Sequence, residues 1–285
     1  MISTNLKPTQ DLNKFAARIR KDVLAMLLKR GYGHVGGSLS IVELLAVLYG
    51  KQMNYRSDEP HWEKRDYLVL SKGHSGPGVY SALANSGFFP KSWVETLNEG
   101  GTNLPSHLDR NKTPGVDATT GSLGQGTSIA TGIAAGLVRK GANDQYVYLI
   151  TGDGELNEGQ CWEAFQYIAH APLSNCIVFI DENKGQNDGK SESIIRHFDL
   201  AEKMRAFGFY TQKVDGQNIE MIDAAIEIAK NQKTQANCIV LDTIKGQGVP
   251  FFENYAGVHS VKFNSQEIIE ATESAIRELE EQVKD

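Results

Sequence analysis

At 285 residues, 40% apolar and 22% charged, the chain has the composition of an ordinary globular protein and the length for a full core. Its net charge of −6 leaves no basic field for nucleic acid or an anionic membrane surface. No apolar run reaches the roughly 20 residues of a membrane helix, and Met1–Pro8 lacks a signal-peptide stretch, so a cytoplasmic location is expected.

Residues 9–30 carry Leu12, Phe15, Ala16, Ile19, Val23, Met26 and Leu27 at helical spacing and predict an amphipathic helix. Ser40 is placed to cap a second helix over residues 41–49, with Glu43 completing a capping box. Short β-branched runs then alternate with helical stretches. The predicted strands are residues 67–70, 146–150, 176–180, 209–214 and 238–241; the helices are 77–86, 123–139, 158–169, 219–231 and 266–283. Near-continuous apolar strands separated by helices imply an α/β fold, a mostly parallel sheet flanked by helices on both faces. No repeat or linker divides residues 1–285, which reads as a single domain. Cys161, Cys176 and Cys238, odd in number and widely spaced, are expected to be buried reduced thiols.

Ligands of such sheets bind beyond the carboxyl ends of the strands, which directs attention to the loops after residues 150 and 180. The first reads Thr151-Gly152-Asp153-Gly154-Glu155, the second Asp181-Glu182-Asn183-Lys184-Gly185-Gln186. One helix separates the two strands, and a right-handed crossover brings both tips to the same edge. Asp153 and Asn183, 30 residues apart, are therefore expected side by side. A carboxylate, an amide oxygen and a free backbone carbonyl are hard oxygen ligands suited to Mg²⁺ or Ca²⁺. One protein charge on a divalent ion leaves room for anionic ligands such as a diphosphate. Gly152 and Gly154 permit close backbone approach to phosphates, and a helix from about Asn157 would point its amides the same way. Either loop alone is an ordinary turn; the pair after consecutive strands is specific.

Gly152-Asp153-Gly154 followed by Asn183 resembles the thiamin-diphosphate motif, and Gly-Asp-Gly-Glu-Leu-Asn-Glu-Gly-Gln-Cys-Trp-Glu-Ala resembles the transketolase family, over about residues 15–260. The resemblance implies the thiamin-diphosphate-binding fold and the cofactors thiamin diphosphate and Mg²⁺, for which Ca²⁺ or Mn²⁺ could substitute. It assigns the metal to Asp153, Asn183 and the carbonyl of Gly185. It lays Gly152, Asp153, Gly154, Glu155 and Asn183 against the cofactor, together with Gly121, Ser122 and Leu123, which would face its rings. Glu158 matches a family glutamate at the subunit interface; an ordinary first-turn helix glutamate is the plainer alternative.

Four histidines sit in small-residue loops. Gly33-His34-Val35-Gly36-Gly37 resembles the family's Gly-His-Pro-Gly segment, and Ser71-Lys72-Gly73-His74-Ser75 its Ser-x-Gly-His segment. Ser106-His107-Leu108-Asp109 stands where the family has Gly-His-Pro-Asp or Gly-His-Pro-Glu, and Gly257-Val258-His259-Ser260 matches a Val-His-Gly segment. The resemblance implies that His34, His74, His107 and His259 line the donor pocket, with His74 also reaching the cofactor. Imidazole titrates near neutrality and can exchange protons with sugar hydroxyls. Ser106 and Leu108 depart from the family pattern and could re-aim His107. His61, His170 and His197 match nothing and read as structural.

The family's activating glutamate and sugar-phosphate arginines belong to pyrimidine-binding and C-terminal regions for which residues 1–285 show no counterpart. The resemblance thus implies a split transketolase, moving a two-carbon ketol unit from a ketose to an aldose phosphate. This chain would be its diphosphate- and metal-binding subunit. A separate C-terminal subunit carrying the pyrimidine-binding domain would partner it, two copies of each forming a heterotetramer. The alternatives are a 2-oxo acid dehydrogenase subunit of the alpha type, a deoxyxylulose-phosphate synthase fragment, and a non-catalytic cofactor-binding paralogue. A nucleotide-binding protein is disfavoured because Gly121–Gly126 lacks a preceding apolar strand.

Overall fold

The computed structural model describes residues 11–284. The expected start of the first helix at Thr9 and the opening Met1–Pro8 lie outside that range. In chain order the first elements are α1 (Leu12–Arg30), β1 (Tyr32–Gly33), α2 (Gly36–Leu39), α3 (Val42–Val47), β2 (Tyr67–Leu70) and α4 (Gly76–Asn85). There follow α5 (Gln125–Arg139), β3 (Val147–Gly152), α6 (Gly159–His170), β4 (Cys176–Glu182), α7 (Ser191–Ile194) and α8 (Leu200–Ala206). The last are β5 (Tyr210–Asp215), α9 (Ile219–Asn231), β6 (Asn237–Asp242), α10 (Pro250–Glu253), β7 (Val261–Lys262) and α11 (Gln266–Gln282).

Five strands form one parallel sheet in the order β2-β3-β4-β6-β5. Every residue of β3 and β4 is buried, as helices on both faces require. Successive side chains point to opposite faces. Tyr148, Ile150, Ile177 and Phe179 therefore join one core with Phe15 and Ile19 of α1, Leu44 of α3 and Ile222 of α9. Val147, Leu149, Val178 and Ile180 join the other with Ala130 of α5 and Phe165 of α6. The three cysteines are free and buried, as expected. Among the described residues, no helix is long and apolar enough to cross a membrane.

α1 matches its expected stripe. Asp11 caps it, accepting from the Asn13 and Lys14 amides, and Gly31 ends it in the left-handed region at φ 84°. The second helix differs from expectation. α3 begins at Val42 without a side-chain cap, because both partners of the expected capping box are engaged elsewhere. Ser40 Oγ donates to Asp181 Oδ2, and Glu43 pairs with Arg20 and accepts from Gln247 Nε2. Tertiary partners have displaced a local cap.

Strands β3 and β4 each run two residues past their apolar runs, to Gly152 and Glu182, with Thr151 opposite Ile180 and Gly152 opposite Asp181. Asp181 is thus a strand residue rather than part of the loop. A buried carboxylate in a central strand is invisible to an apolar-run reading, and it is tolerated here because Lys72 neutralises it. The expected helix from Asn157 is also revised: a 3₁₀ turn spans Gly154–Asn157, and α6 starts at Gly159.

Candidate cofactor and metal site

The tips of β3 and β4 meet as the crossover argument requires. The Asp153 amide donates to the Asp181 carbonyl at 3.1 Å. Asp153 is 1% exposed. Its Oδ1 accepts from the Gly154 amide at 2.8 Å, and Oδ2 accepts from the Lys184 amide at 2.9 Å and from Ser191 Oγ at 3.0 Å. The Asp153 carboxyl is thereby tied to the residue that follows Asn183. Burial, then repulsion from Asp181, raises its pKa to about 6.

Asn183 is oriented from beneath. Its Nδ2 donates to Asp181 Oδ2 at 2.6 Å. A carboxylate only accepts, so the amide oxygen must point the other way, where it takes the Gly185 amide at 3.1 Å. Asp181 itself is wholly buried and also accepts from Lys72 Nζ at 2.6 Å, Ser40 Oγ at 2.7 Å and Thr243 Oγ1 at 2.5 Å. Burial opposes its charge, but the Lys72 ammonium and the hydroxyl donors outweigh burial and hold its pKa below the ordinary value. The Gly185 carbonyl faces Lys245, whose Nζ donates to it at 2.7 Å.

The four loop histidines form one cluster. Ring centroids of His34 lie 5.3 Å from His74, 5.6 Å from His107 and 5.3 Å from His259, and His74 lies 5.0 Å from His259. His107 joins despite Ser106 and Leu108; Leu108 is buried, and its carbonyl accepts from the Thr120 amide at 3.2 Å. Gly37 is required here, since a Cβ would stand 2.7 Å from Ser75 Oγ and 3.1 Å from His74 Nε2. Burial lowers the pKa of His34 to about 4, helped by His107 and Lys245, and that of His259 to about 3, helped by Lys245 and His34. Burial and Lys72 hold His74 well below the usual value. The cluster is neutral at pH 7. Lys245 Nζ lies 2.9 Å from His259 Nδ1, so an ammonium donor there leaves the ring proton on Nε2.

These shifts make stability depend on pH. The unfolded histidines titrate near 6.5 and folded His34 near 4, so between those values the unfolded chain binds more protons. Stability falls as pH drops through that window. His34→Gln is expected to flatten the decline, read as melting temperature against pH; an unchanged slope would contradict the assignment.

The residues expected against the cofactor divide into two groups. Gly121 stands beside His107, a Cβ there meeting the ring at 3.4 Å, while Ser122 is exposed and the Leu123 carbonyl accepts from Gln160 Nε2 at 3.1 Å. Gly154 packs on Gln186, whose Cγ an added Cβ would meet at 2.7 Å. Glu155 differs from expectation. It is 2% exposed and accepts from the Gly124 amide at 2.7 Å, the Gly152 amide at 3.0 Å and Ser71 Oγ at 2.5 Å. Its carboxylate ties three loops together from behind, so its effect on a ligand passes through them. Glu158 is exposed at the N-cap of α6 and makes no capping bond.

A cavity of about 850 Å³ opens between Asn183, Gly185 and His259. Lys245 also lines it, a residue the sequence reading passed over. The signal was available. β6 neighbours β4, so the loop after Asp242 shares the edge that the strand-tip rule singles out. Burial, then Lys72, lowers the pKa of Lys245 to about 8. His197, read as structural, also lines the cavity, whereas His61 and His170 are exposed.

Residues 12–278 match the transketolase thiamine diphosphate binding domain. A 6-deoxy-6-sulfo-D-fructose transketolase subunit from Clostridium sp. (strain MSTE9) is 45% identical over 272 residues, covering 95% of this chain and 97% of that protein. An apulose-4-phosphate transketolase subunit from Actinobacillus succinogenes is 34% identical, covering 95% of this chain and 97% of that protein. The solved transketolase from Campylobacter jejuni superimposes with a TM-score of 0.86 at 26% identity, covering 95% of this chain but 43% of its own. The chain thus spans under half of that transketolase and nearly all of the two subunits. With the parallel sheet and the paired strand tips, these matches identify the chain as a member of the transketolase family, spanning its thiamine diphosphate binding domain.

Proposed function

We propose that this chain is the diphosphate- and metal-binding subunit of a two-chain transketolase that moves a two-carbon ketol unit from a ketose to an aldose. The observation that carries the reading is the meeting of adjacent strand tips, where the Asp153 carboxylate accepts from the Lys184 amide and so stands beside the Asn183–Gly185 loop. Among the described residues no group of three or more His, Cys, Asp or Glu is gathered for a metal. The oxygen set on offer is one carboxylate, one amide and one carbonyl, which fits a hard cation that takes its remaining ligands from an anion. Gln186 Nε2, buried beside Gly154 without a partner, is a donor waiting for such an anion.

Thiamin diphosphate, when bound, supplies the nucleophilic ring carbon that carries the two-carbon unit. The chain's own residues bind and orient. Asp181 holds the Asn183 amide so that its oxygen faces the ligand. Lys245 fixes the His259 tautomer, leaving Nε2–H to donate to a sugar hydroxyl. Neutral His34 and His74 each keep one ring nitrogen able to accept and one able to donate, as hydroxyl recognition and proton exchange require.

The partner subunit is proposed because whole transketolases extend well beyond the matched portion while the subunit relatives do not. Exposed Glu158 fits a place on that interface. The single-domain extent of residues 1–285 and an assembly of two copies of each chain belong to the same reading. Two-substrate assays with this chain, the candidate partner, and both together test it. Ketol transfer is expected only from the mixture; turnover by this chain alone would overturn the split.

A further inference from the structure

We infer that His197 is a cofactor-binding residue whose Nε2–H donates to a phosphate oxygen of the bound diphosphate. This rests on the reading that the strand tips hold a metal and a diphosphate.

The His197 side chain is 14% exposed, and its Nε2 is buried without a hydrogen-bond partner. That nitrogen lies 3.6 Å from Asp153 Oδ2, too far for a hydrogen bond. An imidazole carries at least one N–H in either protonation state, and a buried one needs an acceptor. Asp153 cannot easily serve. Its two oxygens offer about four lone-pair sites, and the Gly154 amide, the Lys184 amide and Ser191 Oγ occupy three. The fourth is the one a cation would take. The acceptor must therefore arrive with the ligand, and an anion on that cation lies within reach of a group already 3.6 Å from the metal-side carboxylate.

The surrounding backbone argues that this placement is specific. Phe198 adopts φ 56°, a left-handed conformation that bulky side chains rarely hold. Through this turn the chain leaves Ile195 and Phe198 58% and 65% exposed while covering an imidazole between them. Ordinary burial preferences would do the reverse. His197 also lines the cavity with Asn183, Gly185 and His259.

Calorimetric titration of Mg²⁺ with thiamin diphosphate into the full chain plus its partner, as wild type, His197→Ala and Asp153→Ala, tests the inference. His197→Ala should weaken the diphosphate by about ten-fold or more, the loss of one hydrogen bond to a charged group. The ¹⁵N resonance of His197 Nε2 should move when wild type is saturated. An alanine variant that binds as wild type does, or a resonance that stays put at saturation, overturns the assignment. Should wild type fail to bind, or Asp153→Ala bind as wild type does, the underlying reading fails and takes this one with it.

Discussion

Asp153→Ala is expected to abolish metal-dependent binding of thiamin diphosphate, by more than roughly a hundred-fold, since even outer-shell partners of metal ligands are worth 10–100-fold. Asp153 carries the single negative charge among the three expected oxygen ligands. Alanine removes that charge and also leaves the Lys184 amide and Ser191 Oγ without their acceptor. Asp153→Asn separates the two effects: it preserves the shape and most hydrogen bonds but lowers the charge, so cation affinity should still collapse. Calorimetric affinities within two-fold of wild type for both variants would remove Asp153 from the site.

Lys72→Met is expected to destabilise the chain by about 3–5 kcal/mol, the range for removing one member of a buried ion pair. Lys72 is 1% exposed and Asp181 wholly buried, so the remaining carboxylate has no solvent to turn to. The Gly37 carbonyl loses its ammonium donor as well, at 2.8 Å. The double variant Lys72→Met/Asp181→Leu should recover part of the loss, because it leaves no orphaned charge, yet it should bind cofactor poorly, because nothing then orients Asn183. Denaturant midpoints check the first statement and calorimetry the second. A single variant within about 1 kcal/mol of wild type would contradict the role given to the pair.

The pair also shows where sequence reasoning stops. Asp153 and Asn183 are legible because each closely follows an apolar run, and the topology of a parallel sheet does the rest. The histidines are legible because their flanking residues resemble family segments, and the fold gathers all four. Lys72 sits in one of those segments, but its partner is 109 positions away in a strand whose apolar pattern ends just before it. Nothing local announces such a pairing. Ser40 misleads for the same reason: as a cap it fits the local pattern, yet its hydroxyl is taken by Asp181, 141 positions distant. Glu155 reads as a ligand-loop residue and turns inward, since three loops converge behind the tip of β3. His197 matches no family segment, and its burial beside Asp153 is a property of the folded chain alone.

The most direct test of the strand-tip site is a crystal of the chain grown with thiamin diphosphate and Mn²⁺, examined for anomalous scattering. One peak is expected between an Asp153 carboxylate oxygen, Asn183 Oδ1 and the Gly185 carbonyl, at roughly 2 Å from each, as an octahedral hard cation demands, with diphosphate oxygens completing the shell. Bound cofactor whose metal sits elsewhere, with Asp153 and Asn183 leaving it unligated, would contradict the account.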